Sequence, residues 1–480
     1  MNYAGSFDCC IYQSKCQNNT VTELKMPHAN MNGQIPAELG QLKSLTLVDL
    51  SYNPFGSAEL PDLSSLTNLQ ALVLNGTRAS GHFPTWITKL SQLEILDLGN
   101  NQLQGAIPDL SALSTLKELH LGLNQFSSLP DISKLSNLEL LAVCANNLSG
   151  PLPDLMSNLK LKKIYFCENM FSGALPDLNK LIALEEVFLH NNSLSGTIPD
   201  ISRLTHLKYL FIGQNQFTGL IPDLKPLQLL QQVDFSDNPV TGFKGAFEDF
   251  KLLPHFNGLG IGQTLLKLDG FPDWLLNIDM IYVDLDGINF GMDLFPTILK
   301  WKNMESLSMS NCGLTGPVPS DIAKLENLFY FNVSGNSLTG TIPKEISYLS
   351  DLDFIDLSNN QLSGDVPKEI LNMERYQSSN YLFGNQSSPP TKSHLMIYVI
   401  IAVLGCAAIG GLAFFVLYKK RKGNQVYPLE QGFATPEPVV QLPITDQAKA
   451  ASPDDISVLP VLAPSGVSDK QPTVEIDNSK

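Results

Sequence analysis

This chain is poor in tryptophan and cysteine, with three Trp and seven Cys among 480 residues. So few cysteines exclude a disulfide-stapled scaffold, and burial has to hold the fold together. Positive charge is also scarce: 31 Lys and Arg stand against 47 Asp and Glu, a net charge of −16. A nucleic-acid partner is excluded, because binding phosphates takes basic patches. The same balance favours a basic or neutral ligand through long-range steering. The glycine-rich, H-R-D and D-F-G motifs of a protein kinase are absent. Neither His120 nor His190 has a serine or cysteine nucleophile brought near it by its sequence context. No third and fourth metal ligand stands at a suitable spacing. The expectation is therefore no enzymatic activity, no cofactor and no metal. Met1–Cys10 lacks the basic and apolar regions of a signal peptide.

What is present is one line, repeated. The pattern L-x-x-L-x-L-x-x-N-x-L-x-G-x-I-P runs through Leu93, Leu96, Leu98, Asn101, Leu103, Gly105, Ile107 and Pro108. It returns from Leu184 to Pro199 and from Leu352 to Pro367. The Asn slot falls at Asn53, Thr77, Asn101, Asn124, Asn146, Asn169, Asn192, Asn215 and Asn238, in steps of 22 to 24 residues. It resumes at Cys312, Asn336 and Asn360. A fixed period of this kind marks a leucine-rich-repeat solenoid, and such a fold is a binding surface. The alternating leucines face one side of a short strand and stack into a continuous core. An inward Asn can satisfy the backbone groups that the following bend would strand. Cys312 reads as a small buried substitute in that slot. The predicted class is an α/β solenoid, a curved horseshoe or superhelix with a parallel sheet on its concave face. Roughly fifteen coils at about 4.8 Å give an arc on the order of 70 Å.

The chain divides accordingly. Residues 1–20 form an N-terminal cysteine cap, 21–242 and 303–372 are repeats, and 243–302 read as degenerate repeats or an island. Gly258-Leu259-Gly260-Ile261-Gly262 in that island is not read as a phosphate loop, because Leu259 and Ile261 occupy coil positions. A juxtamembrane segment, 373–394, leads to Leu395–Tyr418, 24 residues without a charge. That length suits one transmembrane helix. Lys419-Lys420-Arg421-Lys422 follows at once, which places the C-terminal side in the cytosol and the repeats outside. Residues 419–480 carry eight prolines and no hydrophobic period, and are expected to be a disordered cytoplasmic tail. The expected location is the plasma membrane, crossed once.

Six glycosylation sequons begin at Asn18, Asn75, Asn147, Asn191, Asn332 and Asn385, all on the side placed outside. Cys10 can reach Cys16, which leaves Cys9 without a partner and suggests that the sequence starts inside a longer protein. Cys144 and Cys167 follow the second strand leucine in adjacent coils, 23 residues apart. They point outward at strand spacing, either bridged or as two exposed thiols.

Gly33-x-Ile35-Pro36-Ala37-Glu38-Leu39-Gly40-x-Leu42 and the N-x-L-x-G-x-I-P coils resemble plant-type leucine-rich repeats. Asp8-Cys9-Cys10, Cys16 and Val21-Thr22-Glu23-Leu24 resemble the paired-cysteine cap of that family. Cap, repeats, late interruption, last coils, membrane helix and short tail resemble in their order the receptor-like proteins. These share the ectodomain of receptor kinases but lack the kinase. The resemblance implies a single-pass receptor that binds an extracellular peptide, glycan or protein. It would signal through a partner kinase or a membrane co-receptor. Two departures stand out. Ile11 and Tyr12 replace the cap's usual tryptophan, and no cysteine pair closes the last coil. Adhesion to wall or matrix polymers without signalling, and tethered inhibition of foreign hydrolases, are the alternatives.

The ligand surface is expected where outward strand positions are aromatic. The slot between the two leucines holds His120, Ala142, Tyr165, Phe188 and Phe211 in successive coils, with His190 and Tyr209 beside them. Stacked strands would place His120, Tyr165, Phe188, His190, Tyr209 and Phe211 in one concave patch, and aromatics are typical binding anchors. Lys162, Lys163, Glu185, Glu186 and Lys208 would form its solvated charged margin. Asp49, Asp97, Asp234 and Asp356 share the slot but stand too far apart to make one site.

Overall fold

The computed structural model describes residues 15–17 and 20–371. Sixteen short strands form one sheet in chain order. Lys15–Gln17 runs antiparallel to Thr20–Lys25, and the later strands pair in parallel, one per coil. The sheet's central strands include Glu118–His120, Leu140–Ala142, Lys163–Tyr165, Glu186–Phe188, Tyr209–Phe211, Gln232–Asp234, Gly258–Gly260 and Tyr282–Asp284. In each the middle residue is buried, as alternation along a pleated strand requires. Leu119, Leu141, Ile164, Val187, Leu210, Val233, Leu259 and Val283 join one continuous leucine-rich core.

Beyond the strand every coil turns sharply. The residue before the Asn slot is left-handed in coil after coil, with φ 51° at Asn100, 55° at Leu123, 53° at Glu168 and 53° at Gln214. A non-glycine residue resists that conformation by about 1–2 kcal/mol. The Asn side chain compensates. Asn146 Nδ2 donates to the carbonyls of Val143 and Cys144 in its own turn and to Leu121 in the preceding coil. Its Oδ1 accepts the Phe126 amide. Thr77 and Cys312 do part of the same work, through Thr77 Oγ1 to Leu74 O and Cys312 Sγ to Leu285 O.

The returning segments are not regular α-helices, which corrects the α part of the expected class. Ala37–Gln41, Thr85–Lys89, Ser320–Lys324 and Lys344–Tyr348 are 3₁₀ turns that start directly after Pro36, Pro84, Pro319 and Pro343. Phe295–Ile298 and Lys368–Leu371 are single α-turns. A coil of some 23 residues leaves room for one tight turn, and proline presets its entry.

The sheet also runs through 243–302. Gly258–Gly260 and Tyr282–Asp284 pair in register with their neighbours. Thr264 Oγ1 donates to Ile261 O where an Asn would otherwise stand. Phe247, Phe250 and Trp274 fill the wider coil, with Phe250 stacked on Trp274 at 5.9 Å.

Among the described residues no helix is long and apolar enough to cross a membrane. The Cys10–Cys16 pairing, the sequons at Asn18 and Asn385, the juxtamembrane segment, Leu395–Tyr418 and the tail fall outside them.

Candidate ligand-binding surface

Parallel pairing puts the outward last residues of these strands in one row. His120, Ala142, Tyr165, Phe188, Phe211, Asp234, Gly260 and Asp284 are successive register partners. The rings meet. Tyr165 and Phe188 lie 4.9 Å apart at 31°, and Phe188 and Phe211 lie 4.9 Å apart at 33°. His190 and Tyr209 flank them, each with ring centroids 6.3 Å from a phenylalanine of the row.

Beneath the rings Cys144 and Cys167 form a disulfide, with Cα atoms 4.6 Å apart. The cysteines are buried rather than exposed. They make a small apolar cluster with Phe188, distinct from the leucine core, and Tyr165, Tyr209 and Phe211 pack against it. Phe188 is only 4% exposed, because a ring covers it on each side. It is a packing centre, while Tyr165, Tyr209 and Phe211 are half-buried and present area to solvent.

The charged margin is more ordered than a solvated rim. Glu94–Lys117, Glu139–Lys162 and Glu185–Lys208 form a ladder of ion pairs along one edge, at 2.7, 2.7 and 2.5 Å. Glu186 is buried, which corrects its reading as a rim carboxylate. It accepts the Lys163 ammonium at 2.6 Å and the Tyr165 hydroxyl. An outward position on closely stacked strands is covered by its lateral neighbours, so the carboxylate persists there only because both partners satisfy it. Tyr209 Oη donates to Gln231 Oε1 at 2.6 Å.

Both histidines sit in this face. Burial alone pushes His190 down to about 4, so its imidazole is neutral at ordinary pH. Burial opposes charge on His120, but its bond to Glu118 and the field of Asp97 outweigh that and raise its pKa. Cys167, Glu168 and His190 place donor atoms within 4.8 Å of one another. Cys167 is held in the disulfide, and metals bind the thiolate, so the group does not make a metal site.

Past Phe211 the row turns acidic. Asp234 is not isolated: Asp237, Asp284 and Asp286, which the sequence reading did not group with it, lie close enough to interact electrostatically. Burial, then the charges of Asp286 and Asp234, drive Asp284 well above the usual carboxylate range. Burial, then Asp234 and Asp286, raise Asp237 to about 6. Asp286 is held by Ser308 Oγ at 2.8 Å and the Ser310 amide at 2.6 Å.

Sequence reasoning missed Tyr282, whose ring reaches within 6.4 Å of Phe211. The signal was there in the alternate glycines at 258, 260 and 262, which leave a strand bare. Of the described sequons, Asn147 is exposed and Asn191 half-buried. Asn75 Nδ2 is bonded to the Asp97 carboxylate, and Asn332 is tied to Ser308 and Ser334.

Stacked coils, an inward Asn ladder and a long, mainly parallel sheet with one strand per coil define a leucine-rich-repeat protein. A Leucine Rich Repeat family profile matches residues 92–112, 303–325, 327–349 and 351–373. The chain resembles the plant receptor-like proteins, as its motifs indicated. It is 40% identical to Receptor like protein 21 of Arabidopsis thaliana over 91 residues, 19% of this chain and 9% of that protein. The match therefore spans about a tenth of the curated relative. In fold it is similar to the TDR receptor, with a TM-score of 0.57 and 28% identity over 75% of this chain and 67% of that one. It is also similar to the plant peptide hormone receptor RGFR1 in complex with RGF2, with a TM-score of 0.55 and 26% identity over 78% and 68%. A third likeness is the Arabidopsis receptor kinase HAESA in complex with the peptide hormone IDA and the co-receptor SERK1. There the TM-score is 0.52 and the identity 28%, over 73% and 64%.

Proposed function

We propose that this chain is a cell-surface receptor-like protein that binds an extracellular ligand on its concave aromatic row. It signals through a membrane co-receptor or partner kinase and has no catalytic domain of its own. The row from Tyr165 to Phe211 carries the reading. Aromatic area on a rigid sheet binds at low entropic cost, and here a disulfide and a ring cluster hold it in place. Two of its structural neighbours hold peptide hormones, and one of them also holds a co-receptor, which supports both parts of the proposal. The uncharged Leu395–Tyr418 with its basic flank would anchor the repeats outside the plasma membrane.

Proximity labelling from the full-length chain in native cells tests this. Wild type should label extracellular polypeptides and a membrane kinase. The Tyr165→Ala/Phe211→Ala variant, which spares the buried Phe188, should lose the extracellular set. An identical labelled set in both proteins, or a set confined to the cytosol in wild type, contradicts the proposal.

A further inference from the structure

The strand Gly258–Gly260 and the glycine after its next leucine-type position leave three outward places without side chains. Backbone freedom is not the reason, since none of Gly258, Gly260 and Gly262 is among the residues with positive φ. Space is the reason. A Cβ at Gly258 would meet Gln232 Cγ at 2.6 Å. A Cβ at Gly260 would run into Asp234 Oδ1 and lie 2.9 Å from Tyr282 Oη. Neighbouring side chains therefore lie across the bare strand.

Tyr282 uses that gap. Its strand is three places from the strand of Phe211, about 14 Å at 4.8 Å per strand. Even so, its ring reaches within 6.4 Å of Phe211 at 69°, and its hydroxyl bonds the Asp234 carboxylate. The rings Tyr165, Phe188, Phe211 and Tyr282 thus form one unbroken series.

We propose that Tyr282 is a ligand-contacting residue of the concave site, that the glycine strand serves to bring it there, and that the series takes an apolar side chain of a peptide. This rests on the reading of the concave row as a ligand site. The hydroxyls decide the ligand class. Those of Tyr165, Tyr209 and Tyr282 are bonded to Glu186, Gln231 and Asp234. What the rings offer outward is hydrocarbon. An apolar side chain can bury its whole surface on such a series, whereas a sugar stacking its C–H face there gains less apolar burial because its hydroxyls stay in water, so the rings favour the side chain and the glycan array tests the sugar.

The test uses two probes on the purified full-length chain: a phage-displayed random heptapeptide library and a glycan array. Selected peptides should share an apolar anchor. Gly260→Ala and Tyr282→Ala should each weaken their binding roughly tenfold, the scale of a hot-spot residue. Tyr282→Phe keeps the ring and should bind within about threefold of wild type. Thermal unfolding checks each variant, and Gly260→Ala should stay folded with a lowered midpoint, because its Cβ pushes the Asp234 carboxylate and the Tyr282 hydroxyl aside. If Gly260→Ala does unfold, the contrast between Tyr282→Ala and Tyr282→Phe still decides. Full binding by Gly260→Ala and Tyr282→Ala, with loss in Tyr165→Ala/Phe211→Ala, overturns the role of Tyr282 and leaves the concave site standing. Unchanged binding by the double variant removes the concave site itself. Glycan binding that these variants abolish overturns the peptide assignment.

Discussion

Asn215→Ala removes one rung of the amide ladder without touching the leucine core. Asn215 is 7% exposed. Its Nδ2 donates to Leu189 O at 3.0 Å, Ile212 O at 3.1 Å and Gly213 O at 3.0 Å. Its Oδ1 accepts the Leu194 amide at 2.9 Å. Alanine leaves that amide and at least one carbonyl without a partner, at about 1–3 kcal/mol per buried group. Gln214, at φ 53°, also loses the bonds that hold its left-handed turn. A single water entering the vacated space would recover part of this. The expected loss is therefore about 3 kcal/mol. Urea unfolding followed by circular dichroism measures it, provided the m-value stays unchanged. Each coil touches chiefly its neighbours, so the loss should be local. Amide exchange should accelerate in the strands around Leu189, Ile212 and Val233 before it does near Val48. Asn137→Ala is the control: its side chain bonds Ser114 O on an exposed edge, and its loss should stay within about 0.5 kcal/mol. The reasoning is refuted if Asn215→Ala costs no more than Asn137→Ala.

The candidate ligand surface should also respond to pH and to loss of its disulfide. His190 falls from 6.5 unfolded to about 4 folded, so its contribution to stability is full above 6.5 and is lost as pH falls toward 4. Asp237 rises from 3.8 to about 6, so its contribution is full below 3.8 and is lost as pH climbs through 6. The two slopes oppose each other between about 4 and 6; Asp237→Asn should make stability rise more steeply with pH there, and His190→Asn should make it decline. Urea midpoints at pH 4, 5, 6 and 7 read this directly, and parallel profiles for the two variants would show that neither group is perturbed. Cys144→Ser/Cys167→Ser opens a cross-link spanning 23 residues and should cost about 3 kcal/mol by chain entropy. A double variant as stable as wild type would mean the bridge is not formed in the native protein.

Much of this protein is written in one dimension. The period of 22 to 24 residues, the alternation in each strand and the Asn slot are local signals. They place Leu119, Leu141 and Ile164 inside and His120, Tyr165, Phe188 and Phe211 outside, in one row. Stacking coils of equal length converts sequence spacing into lateral neighbours, so both the sheet and the patch were legible. Tertiary structure alone decided how far side chains lean sideways. Register does not say that Phe188 is roofed by two rings, or that Glu186 sinks between Lys163 and Tyr165. Nor does it say that Tyr282 crosses a glycine strand to reach Phe211 and Asp234. Those contacts depend on rotamers and on the volume of groups in other coils, and a repeat specifies neither.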